Sequence, residues 1–383
     1  PEFHHIPVLL DDVLTYLAPA PGNAYLDLTL GGAGHASAVA QKISPNGILY
    51  GFDRDPAAQC AAQARLASFP IEKHFFQTSF EHFDATLRQA GIADAEAGGG
   101  FDCVLADFGL SSHQIDDETR GFSFHADAPL DMRMSQSGLS ARDYLAQVKQ
   151  DELADVLYQF GDIRQSRPLA RKICDAAGRG EMNTTFDLAR VCCSILGSPR
   201  PGKPHPATRV FQAIRIEING EFDAIDAFLR DIPKWMKNNS RLAIIAFHSG
   251  EDRRVKEAMR LWQNPCTCPP QLPVCVCHKK QLGKILTKKP IEATAQELDE
   301  NSRARSAKLE LSNLSIQRKN KISRAIAREI KPPALLRENN RPRYCAKKHF
   351  RATARDRSIA HNLALKCDLA RGAKKNLPRY CAG

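Results

Sequence analysis

Acidic residues stand at the carboxyl ends of three apolar segments in the first third of the chain. The acids are Asp27, Asp53 and Asp107, and a glycine-rich turn, residues 31–34, follows the first of them. A carboxylate at a strand end can accept hydrogen bonds from the hydroxyl groups of a ligand, and glycines allow backbone N–H groups to approach it closely. This combination predicts a binding site for a nucleotide-like ligand at one edge of a sheet.

The glycine turn separates two classes of cofactor. Gly31 and Asp53 are 22 residues apart, close to the roughly 20 that separate a glycine loop from a ribose-binding acid. An NAD(P)-dependent oxidoreductase would need the spacing G-x-G-x-x-G around the pyrophosphate, and no third glycine stands at the right offset here. Asp27 would repel a pyrophosphate and suits the cationic amino-acid end of S-adenosylmethionine (AdoMet). We therefore expect an AdoMet-dependent methyltransferase; the alternative for Asp27 is a turn cap without a ligand.

The elements that must position these side chains are apolar strands alternating with helices. The pattern predicts strands over residues 24–29, 48–53, 74–78, 101–107, 241–248 and 306–311. Near-continuous apolar strands that alternate with helices are typical of a parallel sheet covered on both faces. We therefore predict an α/β fold with the strand ends at one shared edge.

The stretch from residue 115 to residue 213 differs from its surroundings. It has helical periodicity, clearest over 151–160 and 168–177, and no convincing strand. Four prolines between residues 199 and 206 predict a loop. The simplest account is an all-helical domain inserted into the α/β domain.

The positive charge of the chain is concentrated at its end. Residues 316–383 hold 19 Lys/Arg and 4 Asp/Glu, a net charge of +15 in a chain whose total is +11. A cationic segment attracts polyanions, nucleic acid first. The alternative is a solvated, weakly ordered tail with no specific partner.

A long motif begins at the third acid: Asp107-Phe-Gly-Leu-Ser-Ser-His-Gln-Ile-Asp. Further motifs occupy residues 5–11, 27–35, 120–124, 128–134, 205–215, 219–221, 247–253 and 301–306. In these motifs the chain resembles the bacterial 16S rRNA cytosine-N4 methyltransferase family over about residues 4–314. One position departs from the family pattern: Gly250 stands where a bulky apolar residue is usual, so local packing there should differ.

The resemblance implies a class I, Rossmann-like methyltransferase domain formed by residues 4–114 and 214–315. It also implies that residues 115–213 form a helical insert that helps to recognise RNA, and residues 316–383 lie beyond the usual family end. The implied activity is transfer of the AdoMet methyl group to N4 of a cytidine in the decoding region of 16S rRNA, within the small ribosomal subunit. A homodimer is compatible with the sequence.

The resemblance also assigns cofactor contacts. Ala33, Gly34 and His35 are implied at the methionine end, Asp53 at the ribose and Phe80 on the adenine side. Asp107 and Gln114 are implied to close the pocket.

Residues after the predicted fourth and fifth strands are candidates for the chemistry. The lone pair of N4 is delocalised into the cytosine ring, so acceptors for the N4 hydrogens would make it more nucleophilic. We expect such an acceptor among Asp107, a backbone carbonyl of residues 108–110, Ser111 and Ser112, while the two serines could equally cap a turn. His248 could line the cytidine pocket; the alternative is a helix start with Ser249 as the N-cap.

The twelve cysteines are mostly single and set in apolar runs. The chain shows no run of about 18 apolar residues, which excludes an ordinary transmembrane helix, and no signal peptide, so we expect reduced thiols and a cytoplasmic protein. Cys266, Cys268, Cys275 and Cys277 form a separate group whose four thiolates could hold one zinc ion. The alternative is a hairpin of thiols without a metal.

Basic residues around the helical stretch are candidates for phosphate binding. They are Arg120, Arg133, Arg209 and Arg215, and the alternative is pairing with Asp116, Asp127 and Asp131. Two other functions stay open: a DNA amino-methyltransferase, whose Pro-Pro-Tyr/Phe signature is missing after Asp107, and a non-catalytic RNA-binding or ribosome-assembly protein that holds AdoMet as a structural ligand.

Overall fold

The computed structural model describes residues 7–110, 117–135, 137–269, 271 and 276–314, and all of them belong to one compact unit. Seven strands form one sheet. They are β1 (Ala24–Asp27), β2 (Ile48–Asp53), β3 (Glu72–Gln77), β4 (Phe101–Asp107), β5 (Met236–Ala246), β6 (Gly283–Ile285) and β7 (Lys308–Leu314). The order in the sheet is β3-β2-β1-β4-β5-β7-β6. The first five strands in this order are parallel to one another, and β7 is antiparallel to its neighbours β5 and β6.

Strand order reverses between β1 and β4, which are neighbours in the sheet but are separated in the chain by β2 and β3. Ligands of open α/β sheets bind at the carboxyl ends of the strands at such a switch point. Asp27 and Asp107 therefore end adjacent strands at the place where this fold binds ligands, as the sequence predicts.

Helices cover both faces of the sheet. In the α/β part they are α1 (Leu10–Leu17), α2 (Gly34–Ile43), α3 (Pro56–Leu66), α4 (Phe83–Gln89), and later α10 (Glu221–Asp231), α11 (Ser249–Gln263) and α12 (Ala295–Glu300). One core holds buried aromatic side chains such as Phe101, Phe228 and Trp235. The other core lies under α1 and α2 and includes Val13, Val39 and Ile245.

The described residues between 117 and 219 form helices and no strand. The helices are α5 (Ala141–Gln147), α6 (Gln150–Gly161), α7 (Ser166–Gly178), α8 (Thr185–Leu196) and α9 (Thr208–Asn219). They enclose a third core, to which Leu153, Leu169 and Ile214 belong. The predicted boundary at residue 213 falls inside α9, so one continuous helix joins this core to the sheet; the domain limits themselves stay a prediction.

Several predicted strand limits differ from the structure. β1 ends two residues before the predicted limit, because Asp27 accepts a hydrogen bond from the N–H of Thr29 and turns the chain. β5 begins five residues early, at Met236, which pairs with Phe101. β6 was not predicted: it is a three-residue edge strand that lacks the length for a visible pattern.

Candidate active site

A cavity of about 600 Å³ opens at the carboxyl ends of the parallel strands. Its floor contains residues that follow β1, β2, β3 and β4, among them Gly31, Gly34, His35, Asp53, Arg54, Phe80, Asp107 and Phe108. Residues of the helical region, among them Phe122, Phe124, Phe211 and Arg215, also line it. The cavity is thus lined by the acidic strand ends and by aromatic side chains of the helical region.

Asp53 links the two loops that surround the predicted ribose position. Its Oδ2 accepts a hydrogen bond from the N–H of Gly31 at 2.8 Å, and its Oδ1 accepts one from the N–H of Asp55 at 2.8 Å. Gly31 has φ +50°, a conformation that a residue with a Cβ rarely adopts. Each carboxylate oxygen keeps a second lone pair, so Asp53 can still accept hydrogen bonds from the two ribose hydroxyls. Burial raises the pKa of Asp53, and the two backbone hydrogen bonds oppose that shift.

Phe80 lies beyond the end of β3 and extends the cavity on the side of Asp53. Its ring stacks against Phe108 with centroids 5.6 Å apart and packs edge-on against Phe228. These contacts hold the ring of Phe80 in place as a flat apolar surface, which suits the adenine that the resemblance implies beside it.

Asp107 ends β4 beside the glycine turn. Its N–H donates to Thr29 Oγ1 at 2.7 Å, and its Oδ2 lies 4.0 Å from His35 Nδ1. Its other oxygen, Oδ1, is buried and has no hydrogen-bond partner in the described part of the chain. Burial, together with the carboxylates of Asp27 and Glu251, raises the pKa of Asp107 well above its usual range. A buried acceptor without a partner, at a ligand cavity, is a group prepared to bind a donor.

Asp27 does not line the cavity. The hydroxyl of Tyr25 donates to its Oδ2 at 2.8 Å, and the N–H of Thr29 donates to its Oδ1 at 3.1 Å. These hydrogen bonds agree with the turn-cap alternative, and the expected contact with the cationic end of the cofactor stays a prediction. Burial raises the pKa of Asp27 to about 6.

The other predicted cofactor residues divide into three groups. Gly34 and His35 line the cavity, and His35 Nε2 lies 2.9 Å from the carbonyl oxygen of Val8. Ala33 does not line it, because its side chain is fully buried in the core under α2. Gln114 lies outside the described residues, as do the candidate acceptors Ser111 and Ser112.

His248 is the N-cap of α11, in place of the predicted Ser249. Its Nδ1 accepts hydrogen bonds from the N–H groups of Gly250 and Glu251 at 3.2 and 3.4 Å. This acceptor role places the ring proton on Nε2, which faces Glu251 Oε1 at 3.1 Å. Burial opposes ionisation of Glu251, but the hydrogen bond and charge of His248, with Arg215, hold the pKa of Glu251 below its usual range. His248 lines the cavity, and its Nδ1 is used by the start of α11, which argues against proton transfer through that nitrogen.

Gly250 fits its surroundings without the usual bulky side chain. A Cβ at this position would lie 2.5 Å from Cζ of Phe222, so the buried phenyl ring occupies the space. The departure from the family pattern therefore leaves no void at the start of α11.

Two of the four candidate arginines are paired with carboxylates. Arg215 forms a bidentate pair with Glu221 at 2.8 and 2.9 Å, and Arg133 pairs with Asp131 at 2.6 Å. Arg120 donates to the carbonyl oxygens of residues 133 and 134. Arg209 is exposed and has no acidic partner within the described ranges, so it is the one of the four available for a phosphate.

Sequence reasoning missed Arg54 in the cavity. Its guanidinium is largely buried, which lowers its pKa, while Glu221, Asp53 and Glu81 oppose that shift. Its position directly after the strand-end acid Asp53 was the available signal.

Comparison with known proteins decides the class of this site. The model of the MraW methylase family matches residues 2–314. The chain belongs to the MraW methylase family. Membership confirms the predicted resemblance, the α/β methyltransferase fold, the enzyme class and the AdoMet cofactor.

Relatives match along nearly their whole length. The ribosomal RNA small subunit methyltransferase H of Trichlorobacter lovleyi is 44% identical over 312 residues, which cover 80% of this chain and 97% of the relative. The protein of the same name from Symbiobacterium thermophilum is 43% identical over 309 residues, 80% of this chain and 95% of the relative. The solved structure of an rRNA methylase from Streptococcus thermophilus covers 80% of this chain and 94% of its own, with 10% identity and a TM-score of 0.32.

No helix in the described part of the chain is long and apolar enough to cross a bilayer.

Proposed function

We propose that this methylase transfers the methyl group of AdoMet to N4 of a cytidine in the decoding region of 16S rRNA, acting on the small ribosomal subunit in the cytoplasm. The observation that carries the proposal is the buried, unpartnered Oδ1 of Asp107 at the edge of a cavity with an aromatic wall. The printed names of the relatives, small-subunit rRNA methyltransferases, agree with an rRNA substrate.

The residues of the cavity suit AdoMet. Asp53 would hold the ribose through its remaining lone pairs, Phe80 would contact the adenine, and Gly34 and His35 would lie at the methionine end. When bound, AdoMet supplies an electrophilic methyl group on a positively charged sulfur.

The same cavity can accept a base that is turned out of its helix. Enzymes that modify a base must extrude it or act on a single strand, and aromatic side chains stabilise the exposed base by stacking. Phe122 and Phe124 line an aromatic wall of the cavity, and Phe124 is held by Phe211 and His205, with centroids 5.1 and 4.5 Å away. This wall would orient the cytosine with its amino group toward Asp107.

Asp107 would act on the amine directly. By accepting one N4 hydrogen, its Oδ1 favours a pyramidal nitrogen whose lone pair is available for attack. Thr29 fixes the strand end by accepting the N–H of Asp107, so the backbone that carries this side chain is already in place. The methylated amine is acidic enough to release its proton to water, so the site needs no strong base.

The direct test is methyl transfer from labelled AdoMet to 30S particles, followed by mass-spectrometric mapping of the modified nucleotide. The expected product is one N4-methylcytidine in 16S rRNA. Transfer of the label to duplex DNA instead would favour a DNA amino-methyltransferase. AdoMet binding without transfer to 30S particles or to DNA would favour a non-catalytic ribosome-assembly protein. A homodimer stays a prediction that light scattering can check.

A further inference from the structure

The loop between α11 and β6, residues 264–282, is held at both ends, and its described residues form no core of their own. The N–H of Leu282 donates to the carbonyl oxygen of Trp262 at 2.8 Å, and the N–H of Ile285 donates to Gln263 Oε1 at 2.8 Å. These bonds hold both ends of the loop at the last turn of α11. Within the loop no described residue is fully buried, and Val276 is 62% exposed. Among the described residues of the loop, Leu282 at its end packs against the core of the sheet and the others make little apolar contact with it. Small segments without a core of their own usually depend on a cross-link or a metal.

Three cysteine side chains converge inside this loop. The Sγ atoms of Cys266, Cys268 and Cys277 all lie within 4.8 Å of one another, and those of Cys266 and Cys277 are 3.8 Å apart. Two thiolates on one tetrahedral zinc, each with a Zn–S bond of 2.3 Å, are separated by about 3.8 Å. The separation of the Sγ atoms of Cys266 and Cys277 is much longer than the sulfur–sulfur bond of a disulfide.

The backbone supports the same arrangement. The N–H of Val276 donates to Cys268 Sγ at 3.4 Å, so a donor is directed at one of the sulfurs. Hydrogen bonds to the sulfur atoms are a common outer-shell feature of metal–thiolate sites, because they stabilise the negative charge.

We propose that Cys266, Cys268 and Cys277 bind a structural zinc ion that fixes this loop. Zinc prefers thiolates in tetrahedral sites, and binding would release the thiol protons to solvent while three Zn–S bonds form. Cys275, the fourth candidate ligand from the sequence, lies outside the described residues, and the other three converge without it. None of the three cysteines lines the cavity at the strand ends, so the ion would have no part in methyl transfer.

The test is the zinc content of the full chain, purified under reducing conditions without chelator after expression with added zinc. We expect about one zinc per chain, and a loss of at least about tenfold in occupancy for Cys266→Ser, Cys268→Ser and Cys277→Ser. The matched control is Cys60→Ser, because Cys60 is an exposed free thiol outside the loop and should keep full occupancy. Unchanged AdoMet affinity in the variants would show that they fold.

A second readout does not depend on the variants. Titration of the metal-free wild-type chain with Co²⁺ should produce thiolate-to-cobalt charge-transfer absorption, and added Zn²⁺ should abolish it. A wild-type chain that contains no zinc and gives no such absorption would overturn the proposal. So would a disulfide within this group in the freshly purified chain, or full zinc occupancy in Cys277→Ser.

Discussion

Asp53 Oδ2 accepts a hydrogen bond from the N–H of Gly31 at 2.8 Å, so the acid at the end of β2 holds the glycine turn that follows β1. Two features that the sequence treats as separate ligand contacts are therefore one unit. The turn keeps its φ of +50° at Gly31 while a carboxylate oxygen stays available at the cavity. Loss of this side chain should affect the shape of the turn and the ribose contact together.

Asp53→Ala should weaken AdoMet binding by at least about tenfold, because charge-assisted hydrogen bonds to the ribose are worth roughly 1.5–3 kcal/mol each. Isothermal titration calorimetry measures the effect. Glu72→Ala is a suitable control, since Glu72 is an exposed acid at the start of the neighbouring strand β3. Equal affinities in wild type and Asp53→Ala, with the fold intact, would remove Asp53 from the site.

Asp27 should make the cofactor-free chain less stable as the pH rises. Burial raises its folded-state pKa to about 6, above the value of about 3.9 for an unfolded chain. The contribution of Asp27 to the free energy of unfolding is thus complete below about pH 4 and is lost as the pH rises through about 6. The two limits differ by up to about 3 kcal/mol.

Asp27→Asn should remove that part of the pH dependence. Its amide can still accept the N–H of Thr29 and donate to the hydroxyl of Tyr25, so the turn keeps its contacts. Urea unfolding at about pH 4 and about pH 7 gives the free energy of unfolding of wild type and variant at each pH. If wild type and variant lose the same free energy of unfolding between these pH values, Asp27 does not titrate as described.

His248 should matter for the stability of α11 and little for turnover. His248→Ala removes an N-cap and should lower the free energy of unfolding by about 1 kcal/mol, whereas His248→Asn supplies another capping side chain and should restore most of it. Both variants should keep kcat within a few-fold of wild type. A fall of about 100-fold in kcat for a stable His248→Asn would restore His248 to the chemistry.

The basic segment after β7 should contribute to RNA affinity and leave the cofactor site unaffected. Truncation after Leu314 removes residues that lie outside the described structure, while every cavity residue lies upstream. AdoMet affinity should stay unchanged, and RNA affinity and its salt dependence should both decrease, because counterion release scales with the number of phosphates contacted. Identical salt slopes for the two chains would show that the segment does not bind RNA.

The strand ends could be predicted because their signal is local. Ile48–Asp53 and Phe101–Asp107 are buried runs that end in an acid, and both have the predicted limits in the structure. The glycine turn and the start of α3 at Pro56, capped by Asp55, are equally local. The helical character of α6 and α7 also follows from periodicity within the segment.

Other features depend on contacts between distant parts of the chain. Nothing near Asp27 in the sequence shows that the hydroxyl of Tyr25 turns back to it, or that Thr29 accepts the N–H of Asp107. The antiparallel insertion of β7 between β5 and β6 likewise requires the assembled sheet. His248 replaces Ser249 as the cap because Glu251 can reach back to its N–H only in the folded helix start.

If Asp107 acts on the transition state, its loss must slow the chemical step itself, and single-turnover methylation of 30S particles at saturating AdoMet measures that step. Asp107→Asn keeps the shape of the side chain and replaces its carboxyl group with an amide. The account predicts a fall of about 100-fold or more in the rate, with AdoMet affinity changed by less than about tenfold. Asp102→Asn is the control, because Asp102 lies at the other end of β4, paired with Lys237, and should keep the wild-type rate. Full recovery of the Asp107→Asn rate at saturating AdoMet would contradict the account and leave a backbone carbonyl of residues 108–110 as the better acceptor.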